Sequence, residues 1–348
     1  LPRAANVSDK GLWLGDESET VGLPGALHAQ RHCGSVNSYF LPVGLLLALI
    51  VAVLAPTPGA LLQQAGLVPW MVVIIFLVNG YQVDLKKLPR VGRAAKASVV
   101  AIAISLLLSP LIGLATVSLF ELPADVAMGL VVMATVPPTL SSGIVMTQVA
   151  GGNVPKALFL TILLNLIGVL SVPFMLQFTL GSAGLVSISP WSVLAQLMLL
   201  VLLPFALGAL TRRVAGAGAA GHWLLRYLPS SCVIATVWVS ASASSGMLKA
   251  FDIGLLLRIL AGALLIHGAL LLLCYLARYL YRPDYAEWQA LLFTASQKTL
   301  PIALGLLAMI SPTIGAAMVA CLVFHFLQLL LDSAIASRMA RGSAIRVA

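Results

Sequence analysis

The stretch TVPPTLSSG, residues 135–143, decides the fold because it interrupts an apolar run at 124–148 with two adjacent prolines and several hydroxyl side chains. A run of this length can cross a bilayer as a helix, which takes about 20 apolar residues. Pro137 and Pro138 remove two backbone donors, so the carbonyls of the preceding turn need new partners. The sequence therefore predicts a transmembrane helix that is broken near the middle of the bilayer.

The rest of the chain has the composition of a protein dissolved in lipid. Of its 348 residues, 60% are hydrophobic and only 9% are charged, whereas soluble domains carry about 25% charged residues. The apolar runs have helical length and lack the alternation of a membrane barrel. This predicts an all-α membrane protein with about ten spans, at 39–55, 66–83, 97–119, 124–148, 155–179, 190–211, 227–246, 254–280, 287–310 and 314–336.

The net charge of +9 reflects membrane topology and does not indicate nucleic-acid binding. Fourteen of the twenty Lys and Arg residues fall after even-numbered spans, two after odd-numbered spans and three before the first span. The positive-inside rule then places both termini on the cytosolic side or its organellar equivalent. We expect a polar, disordered tail at 1–38 with a processed or truncated start, a membrane domain at 39–340 and a C-terminal tail at 341–348.

A second break is predicted in span 9, where TASQKTLP occupies residues 294–301. Spans 4 and 9 are each the fourth in a set of five, and five spans per set give two halves of opposite topology. In such inverted repeats, discontinuous helices cross near the midplane and form a transport site. We therefore expect two inverted five-helix repeats, with spans 4 and 9 crossing at their breaks and forming a core domain beside a panel domain.

The remaining member of the twenty basic residues, Lys298, lies inside span 9 near mid-depth. A lysine there costs roughly 2.5–3.5 kcal/mol to insert and cannot reach the interface, so it needs a partner or must lose its proton. One interpretation places it in the central cavity, where it meets an anionic substrate. The alternatives are a salt bridge to Asp332, which is expected near the inner end where Arg338 competes for it, and a neutral lysine that is hydrogen-bonded to helix carbonyls.

The candidate binding residues are the polar groups of these breaks and of span 5. Thr161 and Asn165 lie one turn apart in span 5, where contacts between helices are as good an explanation as ligand binding. His267, His325 and Gln328 are interpreted as bundle contacts, with a proton relay as the alternative. The predicted substrate or ion ligands are Thr139, Ser141, Ser142, Thr161, Asn165, Thr294, Ser296, Gln297, Lys298 and Thr299, and the backbone breaks are assigned to Pro137, Pro138 and Pro301.

No soluble-enzyme motif is found: the chain has no P-loop, HExxH, CxxC or GxSxG pattern, so catalysis is not expected. Its four cysteines lack metal-ligand spacing. The expected partners are a small organic anion and the lipid bilayer, with no nucleic acid and no resident cofactor.

Several motifs, in this order and spacing, resemble the bile acid:sodium symporter (BASS) family, particularly its sodium/bile acid cotransporter 7-like branch. They are NGYQVDL at 79–85, PPTLSS at 137–142, TASQKTL at 294–300 and FHFLQL at 324–329. The resemblance covers about residues 39–340. It implies a ten-helix fold with a core domain and a panel domain, alternating access, and sodium-coupled uptake of bile acids, sulfated steroids or small carboxylates such as pyruvate. It also implies a plasma membrane or plastid envelope location.

The resemblance implies a Na⁺ site that is incomplete in this chain. Ala157 replaces one hydroxyl ligand of span 5 and Phe293 replaces the acidic ligand of span 9, while Lys298 adds a positive charge. We therefore expect that at least one sodium site is lost and that sodium coupling is reduced or replaced by Lys298. The ligands that remain for a Na⁺ site are Ser141, Ser142, Thr161 and Gln297.

The function predicted from the sequence is thus secondary active transport of organic anions. One alternative is a membrane regulator or adaptor that keeps the transporter scaffold but moves no substrate. A channel is a third alternative, against which the paired broken helices argue.

Overall fold

Every regular element in the described part of the chain is a helix. The computed structural model describes residues 40–41, 43–84, 91–216, 218, 222–246, 252–310 and 315–345, so the predicted tail at 1–38 lies outside the described residues. The helices are α1 (Val43–Leu54), α2 (Pro56–Gln64), α3 (Leu67–Gln82), α4 (Val91–Ile102, a π-helical turn at Ala103–Leu108, then Ser109–Leu119), α5 (Ala124–Thr135), α6 (Ser142–Ala150), α7 (Val154–Ser182), α8 (Pro190–Leu197, a π-helical turn at Met198–Leu202, then Leu203–Ala215), α9 (Trp223–Ala243), α10 (Ile253–Tyr281), α11 (Tyr285–Ala295), α12 (Leu300–Ile310) and α13 (Gly315–Ile345).

These helices overlap all ten predicted spans. Seven of the described spans are long and apolar enough to cross a membrane, and α1 with α2 would form an eighth that is bent by 98°. The shorter α3 and α5 are also apolar. Large apolar side chains such as Leu119, Leu280 and Leu330 lie exposed on the outer surface, as lipid contact requires. The all-α membrane class is confirmed, and the inverted-repeat arrangement stays a prediction.

Two differences from the predicted bounds have local causes. Helix α2 follows the first span because Pro56 begins it, at a position where a proline's missing N–H is not needed. Helix α13 continues through the predicted boundary at residue 340 to Ile345.

Each π-helical turn is followed, after one residue, by a proline. In α4 the Ser109 N–H bonds to the Ile104 carbonyl, and Pro110 follows. In α8 the Leu203 N–H bonds to the Met198 carbonyl before Pro204. A proline ring clashes with the carbonyl four residues earlier in a regular helix. The extra residue of a π turn relieves that clash without ending the helix.

Helices α3 and α8 pack closely through two glycines. A Cβ on Gly80 would collide with the Phe205 backbone, and one on Gly208 would collide with Leu77. At the end of α3, Arg212 donates hydrogen bonds to the carbonyls of Tyr81 and Gln82, at 3.1 and 3.0 Å. A positive charge at the C-terminal end of a helix also interacts favourably with the helix dipole. This helix pair is therefore held both along its length and at its end.

The broken helices form the centre of the bundle. Residues 288–307, which cover most of α11 and α12, are buried without exception, although they include several polar side chains. Residues 126–138 of α5 and the following break are buried as well. The two predicted breaks therefore lie inside protein, where irregular backbone at membrane depth is tolerated.

Candidate functional site

The first break separates α5 from α6. Helix α5 ends at Thr135, and Val136 is extended, with φ −62° and ψ 152°. A residue before proline is pushed out of the helical region by the proline ring, so Pro137 sets this conformation and Pro138 extends it. Helix α6 begins again at Ser142. The predicted break is thus present, and the two prolines explain it.

The second break covers residues 296–299, between α11 and α12. Pro301 lies in the first turn of α12, where its missing N–H is tolerated. It therefore fixes the start of α12 and does not disrupt a helix interior. Thr294 and Ser296 use their hydroxyl donors on their own helix, bonding to the Ala290 and Leu292 carbonyls at 2.6 and 2.7 Å.

The two breaks contact each other directly. The Thr299 N–H donates to the Pro137 carbonyl at 3.0 Å, and Ser142 Oγ donates to Gln297 Oε1 at 2.6 Å. A Cβ on Gly143 would lie 2.7 Å from the Phe293 carbonyl oxygen, closer than real Cβ contacts allow. One backbone carbonyl of the first break, that of Pro137, is thus satisfied by a backbone N–H of the second break.

Helix α7 supports the first break. Asn165 Nδ2 donates to the carbonyls of Pro138 and Thr161, at 3.0 and 2.8 Å. A Cβ on Gly168 would lie 2.9 Å from Pro137 Cβ. Asn165 Oδ1 and Thr161 Oγ1 are buried and have no hydrogen-bond partner among the described residues. Two free oxygens therefore lie on α7, whose Asn165 contacts the break.

A buried carboxylate reaches the second break from α13. Asp332 is fully buried; its Oδ2 accepts a hydrogen bond from Gln297 Nε2 at 2.8 Å, and its Oδ1 lies 3.0 Å from His267 Nε2. The prediction that Asp332 lies near the inner end, with Arg338 as a competitor, is therefore wrong. An acidic group therefore does contact the second break, although it belongs to α13 and not to the broken helix.

Lys298 is fully buried, and its Nζ donates to the Ser105 carbonyl at 2.6 Å and contacts Ser105 Oγ at 3.3 Å. The cause lies in the π turn of α4. The Ser109 N–H is bonded to Ile104, and the next residue, Pro110, has no N–H to offer the Ser105 carbonyl. That carbonyl lacks a helical partner and accepts the lysine.

The orientation favoured for Lys298, with its ammonium in the central cavity, is corrected by this contact. No ion pair with Asp332 is formed either, since both hydrogen-bond partners of Nζ within the described ranges belong to Ser105. The hydrogen bond to a helix carbonyl agrees with the last of the three interpretations, a neutral lysine on helix carbonyls, in its partner; the contact does not fix the charge of Lys298.

The backbone of Lys298 is held by Gln328 of α13. The Lys298 N–H donates to Gln328 Oε1 at 3.0 Å, and Gln328 Nε2 donates to the Lys298 carbonyl at 2.7 Å. Gln328 Nε2 also lies 3.0 Å from His325 Nδ1. The remaining ring nitrogen, His325 Nε2, has no partner in the described part of the chain.

A small cavity of about 40 Å³, with both apolar and polar lining residues, lies beside the crossover. A cavity of this volume holds a few water molecules, since one needs about 10–15 Å³. Of the predicted residues it brings together Thr139, Ser141, Ser142, Thr299 and Pro301. It adds three polar groups that were not predicted as ligands: Asn79 of α3, Ser230 of α9 and His325 of α13.

The other predicted ligands do not line this cavity: they are Thr161, Asn165, Thr294, Ser296, Gln297 and Lys298. Gln297 contacts it indirectly, through Ser142. Among the residues that sequence reasoning missed, Asn79 had a signal in the sequence because it begins the motif NGYQVDL. Ser105 had one because Pro110, five residues later, cannot donate to its carbonyl. Ser230 carries no signal in the sequence. Across the described ranges, no cluster of three His, Cys, Asp or Glu residues has the geometry of a metal site.

Residues 39–341 match the model of the SBF-like CPA transporter family. Three relatives are similar to this chain, two of them over most of its length and one over about half. The probable sodium/metabolite cotransporter BASS4, chloroplastic, of Oryza sativa subsp. indica is 28% identical over 87% of this chain and 75% of its own. The protein of the same name from Arabidopsis thaliana is 24% identical over 84% and 71%. Sodium/bile acid cotransporter 7-B of Xenopus laevis is 27% identical over 55% and 57%.

Proposed function

Because the chain belongs to the SBF-like CPA transporter family, we propose that it is a secondary active transporter that moves organic anions by alternating access. Family membership confirms the resemblance that the sequence motifs indicated. It also makes the protein a transporter and not an enzyme. The proposed substrates are carboxylate-bearing metabolites or bile-acid-like solutes. The observation that carries the proposal is the direct contact between two helix breaks beside a cavity lined by hydrogen-bond donors.

Alternating access is supported by the way the cavity is built. Its walls come from the crossover and α13 on one side and from Leu41, α3 and α9 on the other. A cavity between two groups of helices opens or closes when one group moves against the other. Its small volume here fits an almost closed conformation, because neither pyruvate nor a bile acid would fit into a space for a few waters. We propose that spans 1–5 and 6–10 form the two inverted repeats.

Sodium coupling is supported by the oxygens around the first break. Ser142 Oγ, Gln297 Oε1 and Thr139 Oγ1 form a connected group, with Ser142 Oγ at 2.6 and 3.3 Å from the other two. Thr161 Oγ1 and Asn165 Oδ1 add two buried oxygens without partners among the described residues. Uncharged oxygens of this kind are the ligands by which transporters hold Na⁺ at broken helices.

We propose that Lys298 weakens this coupling without abolishing it. In this proposal Lys298 is protonated, and a buried ammonium one residue along the chain from Gln297 disfavours a nearby cation. Asp332 opposes that effect, since its carboxylate is bonded to Gln297 and formally cancels the lysine charge. We therefore expect weak stimulation by Na⁺, with a larger stimulation when Lys298 is replaced by Met.

The protein is a multi-pass membrane protein, and two relatives are named as chloroplastic. We propose that it resides in a plasma membrane or plastid envelope, with both termini on the cytosolic or stromal side, as the distribution of Lys and Arg indicates.

Uptake into proteoliposomes tests the proposal. Labelled pyruvate and labelled cholate should accumulate in vesicles that contain the purified protein, with saturation and with exchange against internal unlabelled substrate. Transport in a Na⁺ gradient should exceed transport in choline for the wild type, and the difference should grow in Lys298→Met. Ser142→Ala should reduce uptake roughly tenfold, the effect of one lost hydrogen bond of about 1.4 kcal/mol.

Ser118→Ala is the matched control, because the Ser118 hydroxyl is exposed and bonds only to its own helix at Leu114. Uptake by this variant should equal that of the wild type. Absence of flux with both substrates, with and without Na⁺, would favour the regulator or adaptor. Currents that neither saturate nor support exchange would favour a channel.

A further inference from the structure

His325 lines the cavity, and one of its two ring nitrogens has no hydrogen-bond partner among the described residues. The side chain is 3% exposed and lines the cavity with Thr139, Ser142 and Thr299. Its Nε2 is buried and has no hydrogen-bond partner among the residues that the structure describes. A buried polar atom of this kind costs free energy unless a ligand or water completes it.

The protonation of this ring follows from the contacts of Gln328. The Lys298 N–H can only donate and the Lys298 carbonyl can only accept, so their bonds at 3.0 and 2.7 Å fix Oε1 and Nε2 of Gln328 without ambiguity. The second hydrogen on Gln328 Nε2 then points to His325 Nδ1, 3.0 Å away.

A nitrogen that accepts a hydrogen bond carries no proton, so Nδ1 is deprotonated and the ring proton lies on Nε2. The free atom is therefore an N–H donor. A cation or an amine would present another positive or donor group to it, whereas a carboxylate presents only acceptors.

We propose that the His325 Nε2–H donates a hydrogen bond to the carboxylate of the transported anion. This inference rests on the proposed function and deepens it. A carboxylate that enters a dehydrated site must exchange its water for protein donors. The cavity supplies an imidazole N–H, the Asn79 amide and several hydroxyls. Gln328 is a positioning residue, because it holds the ring in the donor form.

Two substitutions separate the donor from the shape of the ring. His325→Phe keeps a planar ring but removes the N–H, and KM for pyruvate or cholate uptake should rise roughly 10- to 100-fold, as expected for one hydrogen bond to a charged group. His325→Gln restores an N–H donor and should recover most of the affinity. His222→Phe, which changes an exposed histidine at the start of α9, should leave KM unchanged.

A second measurement does not depend on transport. Full-length protein with ¹⁵N-labelled histidine is reconstituted in nanodiscs, and the His325 signals are assigned by their loss in His325→Gln. They should report the neutral ring with its proton on Nε2 and should shift when pyruvate or cholate is added. A doubly protonated ring, a proton on Nδ1, or no shift with either anion would overturn the inference.

The two experiments also distinguish this inference from the proposed function. If the His325→Phe variant takes up substrate with the same KM as the wild type, the role of His325 is contradicted, but the proposal of transport is not. A shifted His325 signal without uptake by the wild type supports anion binding at His325 and contradicts transport.

Discussion

The two faces of the crossover differ in how they use polar groups. The cavity face, which comprises Thr139, Ser141, Ser142, Thr299 and His325, presents neutral groups, and one of its donors has no partner within the described residues. The core face, which comprises Lys298, Asp332 and His267, carries a lysine, a carboxyl group and a second histidine, which are fully buried and each bonded to protein. From this difference we propose that the substrate meets neutral donors, while the ionisable groups of the core face stabilise the crossover.

Electrostatics in a low dielectric explains why the charges are withdrawn. An ionised group inside the membrane domain needs a fixed partner in every conformation of the transport cycle, including those without substrate. In this structure the Ser105 carbonyl and the His267 ring are such partners, since they bond to Lys298 and Asp332. Neutral donors can tolerate a cavity that holds only water between two transport events.

The largest effect is expected when the core face loses its carboxylate. Asp332→Ala leaves His267 Nε2 and Gln297 Nε2 unpaired in the interior, and removing one member of a buried pair costs about 3–5 kcal/mol. We expect a large drop in the unfolding temperature in detergent and no uptake. Asp125→Ala, at the exposed start of α5, is the control and should unfold like the wild type. Equal stability of the two variants would contradict a structural role for the carboxylate.

Separating the two breaks should reduce transport more than stability. In Gly143→Ala the new Cβ would lie 2.7 Å from the Phe293 carbonyl oxygen, so the crossover must shift, at about 1–3 kcal/mol. A shift of this kind displaces the cavity face, and uptake should fall at least about tenfold.

Gly181→Ala is the matched control for that variant. Gly181 lies in α7, and a Cβ added there would have no heavy atom of another residue within 4 Å beyond its immediate chain neighbours, so alanine should stabilise the helix by about 0.5–1 kcal/mol. Uptake by Gly143→Ala at the level of the control would mean that the two breaks need not touch during transport.

A smaller effect on the protein is expected when the Ser105 carbonyl gains a second possible hydrogen-bond donor. Pro110→Ala restores the N–H that the π turn of α4 lacks, and this N–H competes with Lys298 for the Ser105 carbonyl. We expect Lys298 to react several times faster with a membrane-permeant amine reagent, as measured by mass spectrometry, while the fold persists. Pro204→Ala makes the same change after the π turn of α8 and should leave the labelling of Lys298 unchanged. Equal labelling of Lys298 in both variants would mean that the contact between Lys298 and Ser105 does not depend on Pro110.

The positions of the breaks could be predicted from the sequence because their causes are local. Pro137 and Pro138 disrupt the helix that contains them, and an apolar run of known length gives the depth of each break. The contact between the two breaks followed from their equivalent places in two sets of five spans. These rules use only distance along the chain.

The partners of the buried side chains could not be predicted in this way. Ser105 and Lys298 are separated by 193 residues, and His267 and Asp332 by 65. Hydropathy gives the depth of a residue but not its direction around the helix axis, because an almost uniformly apolar helix has no polar face to orient it. Sequence reasoning therefore places Lys298 at the right helix break and on the wrong face of the crossover.

The smallest effect is expected at Ser296, a predicted ligand that the structure assigns to neither face. Its hydroxyl donates to the Leu292 carbonyl at 2.7 Å and does not line the cavity. Ser296→Ala should therefore cost less than about 1 kcal/mol in stability and leave KM and the maximal uptake rate unchanged, in contrast to Ser142→Ala. An uptake defect in Ser296→Ala as large as that in Ser142→Ala would mean that the Ser296 hydroxyl leaves its helix during transport, and the division between the two faces would then hold for one conformation only.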